Sequence, residues 1–527
     1  MFTYFVIIPV LIATFLFVFS SNKAARVLAI VFQSLFVSFA FYLFMITREE
    51  EYTTIVGGYG DFLSIYLRAY NISSVFILLT AVIFLVVAIY SFHESQSRIF
   101  WFLLFILEAA LVGLFLTRDL FNIFVLVEVG TVIVLILLMF ERGRRQMFTG
   151  MVFLMINVVA MQFYLFGLGY IYMLAGAFDM AYVSEMIASA DRQSLVLPYA
   201  LIMTAIAFKC ALIPLYSFVP KVRLYPSAPS AVAAILSGIQ IKTNVYLFLR
   251  FQEIFGSFSA QDFFLIVGIA TSLVGVFMAI TQTDIKMILA YHTVSQVGLI
   301  IIGLSAGSYY SYLGGLYHVI SHSIFKSALF LTAGIIRLSY GTRNVYDIRG
   351  VMRRMPVVGI VSAAAVLGIT GAPLFIGSIS KYFIVYDVPP IVNISVIIIS
   401  LGTIISFIKY SGMLFGRPKT EHPPIKIYPW RIAPCIVLGV MCLAGGVFGV
   451  YAINFLFISD VSVNLTGYLQ KSGIFFASAA LGYAIYKFVV RGNKLLKRIA
   501  DLNLGFKGVV ASMGVFFGLL IIVTGML

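Results

Sequence analysis

The chain has 527 residues, of which 62% are hydrophobic and only 10% charged, with a mean hydropathy of +1.07 and a formal net charge of +15. Soluble domains carry about a quarter charged residues, so this composition excludes a soluble globular protein and indicates a polytopic membrane protein. The positive residues fall in short loops between apolar runs, not in patches interleaved with aromatics. That placement argues against a nucleic-acid partner and for anchoring in a lipid bilayer.

A helix needs about 20 apolar residues to cross the hydrocarbon core. Taken in chain order, spans are predicted near 2–20, 27–46, 71–92, 99–117, 119–140, 148–174, 197–216, 228–250, 262–282, 287–306, 311–336, 356–386, 391–415, 432–457, 472–490 and 507–527. The first run, Phe2 to Ser20, has no preceding Lys or Arg and no small-residue cleavage site, and reads as a retained helix, not a signal peptide. Glu49-Glu50-Glu51 reads as a solvated outer loop. Phe178 to Leu195 mixes Met, Tyr and Ile with Asp and Glu, which reads as an interfacial amphipathic helix. The expected fold class is an all-α polytopic membrane protein without a separate soluble domain.

Charge placement orients the spans. The loops after odd-numbered spans hold 24 Lys and Arg, among them Arg142, Arg144, Arg145, Arg337, Arg343, Arg349, Arg353, Arg354 and the run Lys487 to Lys507. The opposite loops hold only Arg48, Arg68, Arg118, Arg192, Arg250 and Lys471. The positive-inside rule then puts the first set in the cytoplasm and both termini outside.

Two spans contain breakers: Ala211-Leu-Ile-Pro214 in the seventh and Gly371-Ala-Pro373 in the twelfth. Proline removes a backbone donor, which lipid tolerates only beside protein or a wet cavity. Interrupted spans at matching places in two halves point to an inverted-repeat transporter. The expected divisions are 1–98 (spans 1–3), 99–250 (first repeat, spans 4–8), 262–416 (second repeat, spans 9–13) and 432–527 (spans 14–16). The plainer reading is that both prolines merely kink their helices.

Five lysines lie inside apolar spans: Lys209, Lys242, Lys326, Lys381 and Lys409. Glu108, Glu128, His318 and His322 share that setting. A charge at bilayer depth costs about 2.5–3.5 kcal/mol even on the lenient insertion scale, so such residues usually face a wet interior and move ions or protons. Glu128, near the centre of span 5, has Lys209 as its natural partner. A lysine moving towards or away from that carboxylate would change the proton affinity of both. Lys242 emerges from the apolar face of span 8, and small residues Ala234 and Gly238 allow a close neighbour there. For Lys326 and Lys409, snorkelling to an interface is the competing reading.

His318, His322 and Lys326 are spaced by four, within about 80° of one helical face and about 12 Å of axis. Imidazole titrates near neutrality and suits a proton relay. Two His at i and i+4 also allow a zinc site, but no third ligand is evident and the lysine on the same stripe disfavours a cation. Packing histidines bonded to serines such as Ser321 are a further alternative. His292, in Tyr291-His-Thr-Val-Ser-Gln296, and Glu108 remain secondary candidates. Cys210, Cys435 and Cys442 lie in apolar segments without a CxxC pattern, so neither an iron–sulfur centre nor a structural zinc is expected, and no cofactor is implied.

These residues carry a resemblance. The chain resembles the antiporter-like large subunits shared by Mrp-type multisubunit Na+/H+ antiporters, membrane-bound hydrogenases and respiratory complex I, over roughly residues 60–450. It rests on Asp119-Leu-Phe-Asn-Ile-Phe-Val-Leu-Val-Glu128, Lys209 before Pro214-Leu-Tyr, and Ala228-Pro-Ser-Ala-Val-Ala-Ala-Ile-Leu-Ser-Gly238 with Lys242. It continues through Tyr291-His-Thr-Val-Ser-Gln-Val-Gly298, His318-x3-His322-x3-Lys326 and Gly371-Ala-Pro-Leu-x2-Gly-Ser-Ile-Ser-Lys381. The resemblance implies about 14 core helices in two inverted repeats, broken at helices 7 and 12, plus about two C-terminal helices.

It further implies a coupling pair, Glu128 and Lys209, and a hydrated proton path through Lys242, His318, His322, Lys326 and Lys381. Asp119 enters through the same motif, while Glu108, His292 and Lys409 stay open. The implied partners are other membrane subunits of one complex, protons, Na+ and the bilayer. A redox-driven complex with its chemistry in other chains is the second reading. A scaffold whose buried charges serve stability alone is the third.

Overall fold

The structure, a computed structural model, describes residues 2–19, 21–58, 64–92, 97–140, 143–217, 228–418, 428–500 and 505–526. Ser20 and Arg142, used above to place a span end and a basic loop, lie outside the described residues. Among the described residues, 13 helices are long and apolar enough to cross a membrane, while Thr3–Phe19 and Pro356–Thr370 are apolar but shorter. Every expected span falls on helix, and some of them are divided. Span 12 is two helices, Pro356–Thr370 and Ile376–Ile384, and span 14 is Pro429–Val447 and Gly449–Phe457. The chain is a multi-pass, predominantly helical membrane protein.

Contacts divide it into two compact units. The first comprises Met1–Phe218, Ile239–Ala260 and Leu504–Leu527. Its helices are α1 (Thr3–Phe19), α2 (Asn22–Ile46), α3 (Asn71–Ser91), α4 (Arg98–Leu116), α5 (Leu120–Leu138), α6 (Arg144–Ala175), α7 (Met180–Ser189) and α8 (Arg192–Lys209). α7 is the short helix expected at the interface, and Asp179 caps its N-terminus by accepting from the amides of Ala181 and Tyr182. α4 packs on α1 and α5, and α6 on α5 and α8.

The departure from an all-helical chain is a hairpin. β1 (Tyr52–Val56) pairs antiparallel with β2 (Ile65–Ala69), Tyr52 opposite Ala69 and Val56 opposite Ile65. Tyr, Thr and Ile favour extended backbone. Glu50 and Glu51 of the acidic run beside it are exposed, as expected, and make surface contacts: Arg68 Nε donates to Glu51 at 3.1 Å and the Tyr52 hydroxyl donates to Glu50 at 2.8 Å.

The second unit comprises Val219–Gly238 and Gln261–Asn503. It starts with α9 (Ser230–Ile235), which runs into a π turn, Leu236–Gln240; the chain then re-enters the first unit as α10 (Ile241–Phe255). Beside the short helices Val351–Arg354 and Lys494–Ala500, the second unit holds α11 (Gln261–Thr281), α12 (Ile285–Ser305), α13 (Tyr309–Tyr340), α14 (Pro356–Thr370), α15 (Ile376–Ile384), α16 (Pro390–Ser411), α17 (Pro429–Val447), α18 (Gly449–Phe457) and α19 (Leu465–Ile485). The last helix of the chain, α20 (Phe506–Met526), packs on α8 and α6 in the first unit. The second unit's apolar core joins Val276 of α11, Leu299 and Ile302 of α12, Ile384 of α15, and Val392, Val396 and Ile399 of α16.

One joint is built twice. In the first unit the Leu120 amide donates to the Phe178 carbonyl and the Met180 amide to the Arg118 carbonyl, both bracketing an Asp119–Asp179 bridge. In the second, Ile285 donates to Arg343 and Val345 to Thr283, bracketing an Asp284–Asn344 bridge. Asp119 and Asp284 each cap the helix that follows, α5 and α12. Each joint carries an ion pair, bidentate Arg118–Asp179 (2.9 and 2.6 Å) in one and Arg343–Asp284 (3.0 Å) in the other.

The breakers stop their helices outright; they do not merely kink them. α8 ends at Lys209, Ala211 takes a φ of 57°, and Leu212 donates back to the Ala207 carbonyl at 3.0 Å. α14 ends at Thr370, and Gly371 takes the left-handed φ of 82° that favours glycine. The chain then turns into α15 so tightly that a Cβ on Gly377 would lie 1.9 Å from the Gly368 carbonyl oxygen. Only glycine permits that approach.

Candidate buried proton-transfer sites

In the first unit, Lys209 closes α8 in its last turn, where an ammonium complements the helix dipole. Its Nζ donates to the Thr131 hydroxyl of α5 at 3.0 Å. Thr131 stands three residues beyond Glu128, so both share a face of α5. Glu128 and Lys209 feel one another's charge, yet no salt bridge joins them among the described residues. Glu128 is half-buried and its Oε1 has no hydrogen-bond partner. The freed carbonyl of Lys209 accepts from the side-chain Nδ2 of Asn244 on α10 at 3.1 Å. Two residues earlier on α10, Lys242 is 1% exposed.

Glu108 is a separate feature. It is fully buried on α4 and accepts from Gln33 Nε2 of α2 at 2.6 Å, and Gln33 also donates to the Ala81 carbonyl of α3 at 3.2 Å. Its polar contacts tie α2, α3 and α4 together and do not involve α5. Asp119 acts as the cap of α5, accepting from the Asn122 amide at 2.6 Å.

In the second unit, His318, His322 and Lys326 are all fully buried along α13. His318 bridges two other helices, Nδ1 to Ser380 Oγ of α15 at 2.8 Å and Nε2 to Gln296 Oε1 of α12 at 3.1 Å. His322 meets the Phe325 ring edge-on at 5.5 Å. Lys326 Nζ donates to the Leu289 carbonyl of α12 at 2.6 Å. Lys381 Nζ donates to the carbonyls of Ile369 and Thr370, at 3.1 and 3.0 Å, and so caps the broken end of α14.

His292 bonds Ser406 Oγ of α16 at 2.9 Å and lies within the fields of Lys326, Lys409 and Lys381. The serines that hold these histidines are therefore Ser380 and Ser406, whereas Ser321 bonds its own helix at Tyr317. None of Lys326, Lys381 and Lys409 forms a salt bridge among the described residues. An amine held only by carbonyl oxygens can carry a proton or release it without breaking an ion pair.

Burial decides the placement of two further lysines. Lys409 does not snorkel: it is buried and donates to the carbonyls of Ala279, Ile280 and Gln282, at 3.1, 2.6 and 2.5 Å, closing the C-terminus of α11. Lys286, counted above among the loop cations, is fully buried in the first turn of α12 and donates to the Ala228 carbonyl at 2.7 Å. Its position beside a helix start makes it look like loop charge, and only the fold over it reveals the burial.

The chain as a whole is similar to known proteins. The family described as NADH:quinone oxidoreductase/Mrp antiporter, transmembrane, matches residues 117–406. NADH-quinone oxidoreductase subunit N of Desulforudis audaxviator is 29% identical over 433 residues, 76% of this chain and 86% of that protein. A Na(+)/H(+) antiporter subunit of Alkalihalophilus pseudofirmus is 28% identical over 396 residues, 72% of this chain and 79% of that protein. Among solved structures, a chain of the Mrp complex from a Dietzia species superposes with a TM-score of 0.81 at 24% identity, covering 91% of this chain and 99% of that one.

Proposed function

Because the chain belongs to the NADH:quinone oxidoreductase/Mrp antiporter transmembrane family, we propose that it is a proton-translocating subunit of a multisubunit membrane complex, seated in the cell membrane with both termini outside. In this reading Glu128 and Lys209 form the coupling element of the first unit. Lys209 is held by Thr131 at a broken helix end, free of a fixed ion pair with Glu128, so its ammonium can swing towards the carboxylate or away. That single contact carries the proposal. Approach of the ammonium favours the ionised carboxylate and withdrawal favours its protonated form. Protons then pass by Lys242, and by His318, His322, Lys326 and Lys381 in the second unit, with His292 as a buried neighbour of the latter lysines. Na+ exchange against those protons is the reading that likeness to the Na(+)/H(+) antiporter relative supports.

The test is proton and Na+ flux in vesicles carrying the assembled complex with Lys209→Ala. The expected result is loss of flux with subunit assembly intact, and undiminished flux overturns the mechanism. Likeness to NADH-quinone oxidoreductase subunit N favours a second reading, a pump driven by redox chemistry in other chains. Gentle purification separates the two: iron–sulfur or nickel absorbance travelling with the complex supports the redox-driven assembly, and its absence supports the antiporter.

A further inference from the structure

A pocket of about 320 Å3 lies between α15, α16 and α19, wholly within the second unit. Lys381 stands buried in its wall, and Asn393, Ser400 and Lys471 line it further out. Its lining contains hydroxyls, amides and two ammonium groups but no carboxylate among the described residues.

The helix that closes it, α19, belongs to the C-terminal extension beyond the family match. α19 buries little of itself, with Gly482 its one buried residue. Its specific polar contacts nevertheless converge on the broken helix. The Tyr468 hydroxyl accepts from the Leu374 amide at 3.1 Å and bonds Ser378 Oγ at 3.0 Å. Lys471 Nζ donates to the carbonyl of Tyr382, the residue after Lys381, at 3.0 Å and sits 4.4 Å above that tyrosine's ring. α19 is thus pinned by polar groups at the rim of the Lys381 pocket.

We propose that the pocket is the aqueous vestibule of Lys381 and that Lys471, supplied by the extension, makes it a filter that passes protons and turns metal cations away. The inference rests on the assignment of Lys381 to proton transfer given above. A proton can be taken up by a neutral amine and carried as that amine's own charge. A sodium ion must instead bring its charge in whole and find a cage of oxygen ligands, commonly including carboxylates. Here it meets two ammonium groups in a low-dielectric recess, where fields of one sign are focused. Any Na+ the complex exchanges therefore travels by another route.

The experiment is thiol labelling in the intact complex. The native cysteines, Cys210, Cys435 and Cys442, are all buried, which keeps the background low. A Ser400→Cys variant puts a thiol on the α16 wall, and Ser478→Cys puts a second one on α19 as an independent position. Each is treated with anionic and cationic methanethiosulfonates of similar size. With each rate taken relative to that reagent's rate with free cysteine, the expected result is that the anionic reagent is favoured about tenfold or more, that Lys471→Glu collapses or inverts that ratio, and that Lys471→Arg preserves it. Two results would overturn the proposal: both thiols inert to both reagents, which means a dry pocket, or equal rates that Lys471→Glu leaves unchanged. Labelling reads water and charge without reference to flux, so its failure is distinct from failure of the Lys209→Ala test.

Discussion

The Nδ1 of His318 lies 2.8 Å from the hydroxyl of Ser380, the residue directly before Lys381. The middle of one helix thus holds the middle of the short helix, α15, that carries the pocket's buried lysine. Removing one neutral hydrogen bond costs about 0.5–1.5 kcal/mol. Ser380→Ala is therefore expected to slow proton flux several-fold, up to about tenfold, without loss of assembly, and Ser380→Thr to restore most of it. Flux assays in vesicles, with the complex quantified by co-purification, check this.

Thr131 decides where the Lys209 ammonium rests. Thr131→Val keeps the shape of the side chain but removes its acceptor, leaving the lysine to the attraction of the Glu128 carboxylate. The expected outcome is a lysine locked on the carboxylate and flux reduced at least about tenfold, because losing a charge-assisted hydrogen bond is worth about 1.5–3 kcal/mol. Thr131→Ser retains the hydroxyl and is expected to keep near-normal flux. Equal flux in the two variants would remove Thr131 from the mechanism.

Lys409 closes α11 with three carbonyl contacts. Its loss uncovers buried acceptors, so Lys409→Leu is expected to lower the stability of the complex by about 2–4 kcal/mol. Thermal unfolding followed by loss of assembled complex measures it. A variant as stable as the parent would show that the capping contacts contribute nothing.

Glu108 accepts one short hydrogen bond from Gln33 while its other oxygen is unpartnered. Its role in that contact needs an acceptor of this shape, not a charge. Glu108→Gln is expected to leave flux unchanged and shift stability by less than about 1 kcal/mol, whereas Glu108→Leu strands one N–H of the buried Gln33 amide and costs about 1–3 kcal/mol. Loss of flux in Glu108→Gln with stability intact would instead place Glu108 among the proton carriers.

Burial at membrane depth is the most legible property of this chain. An apolar run long enough to cross lipid can satisfy its backbone only as helix, so every predicted span falls on one, and Pro214 and Pro373 mark the two stops. The hairpin at Tyr52–Val56 escapes because hydropathy is blind to a short polar stretch whose β-branched residues pair with another strand. The candidate lysines are legible as misfits in lipid, but their partners are not. Thr131 is an ordinary residue in sequence, and nothing local tells that it holds Lys209 while Glu128 stands apart. Lys286 is hidden for the opposite reason, since a cation near a helix start reads as loop charge until the chain folds over it. Lys409 sits close enough to a span end to suggest a reach for water, yet it reaches for three carbonyls of another helix.

The twice-built joint bears on how this chain came about. Were the halves descended from one duplicated ancestor, their crossed electrostatics record a divergence in which acid and base moved together: the arginine stands on the first strand of one joint, at position 118, and on the second strand of the other, at position 343. A chimera joining Thr283-Asp284 to Phe178-Asp179 would set two carboxylates face to face with no guanidinium between them. The two joints share one backbone geometry, yet their charges make them non-interchangeable parts.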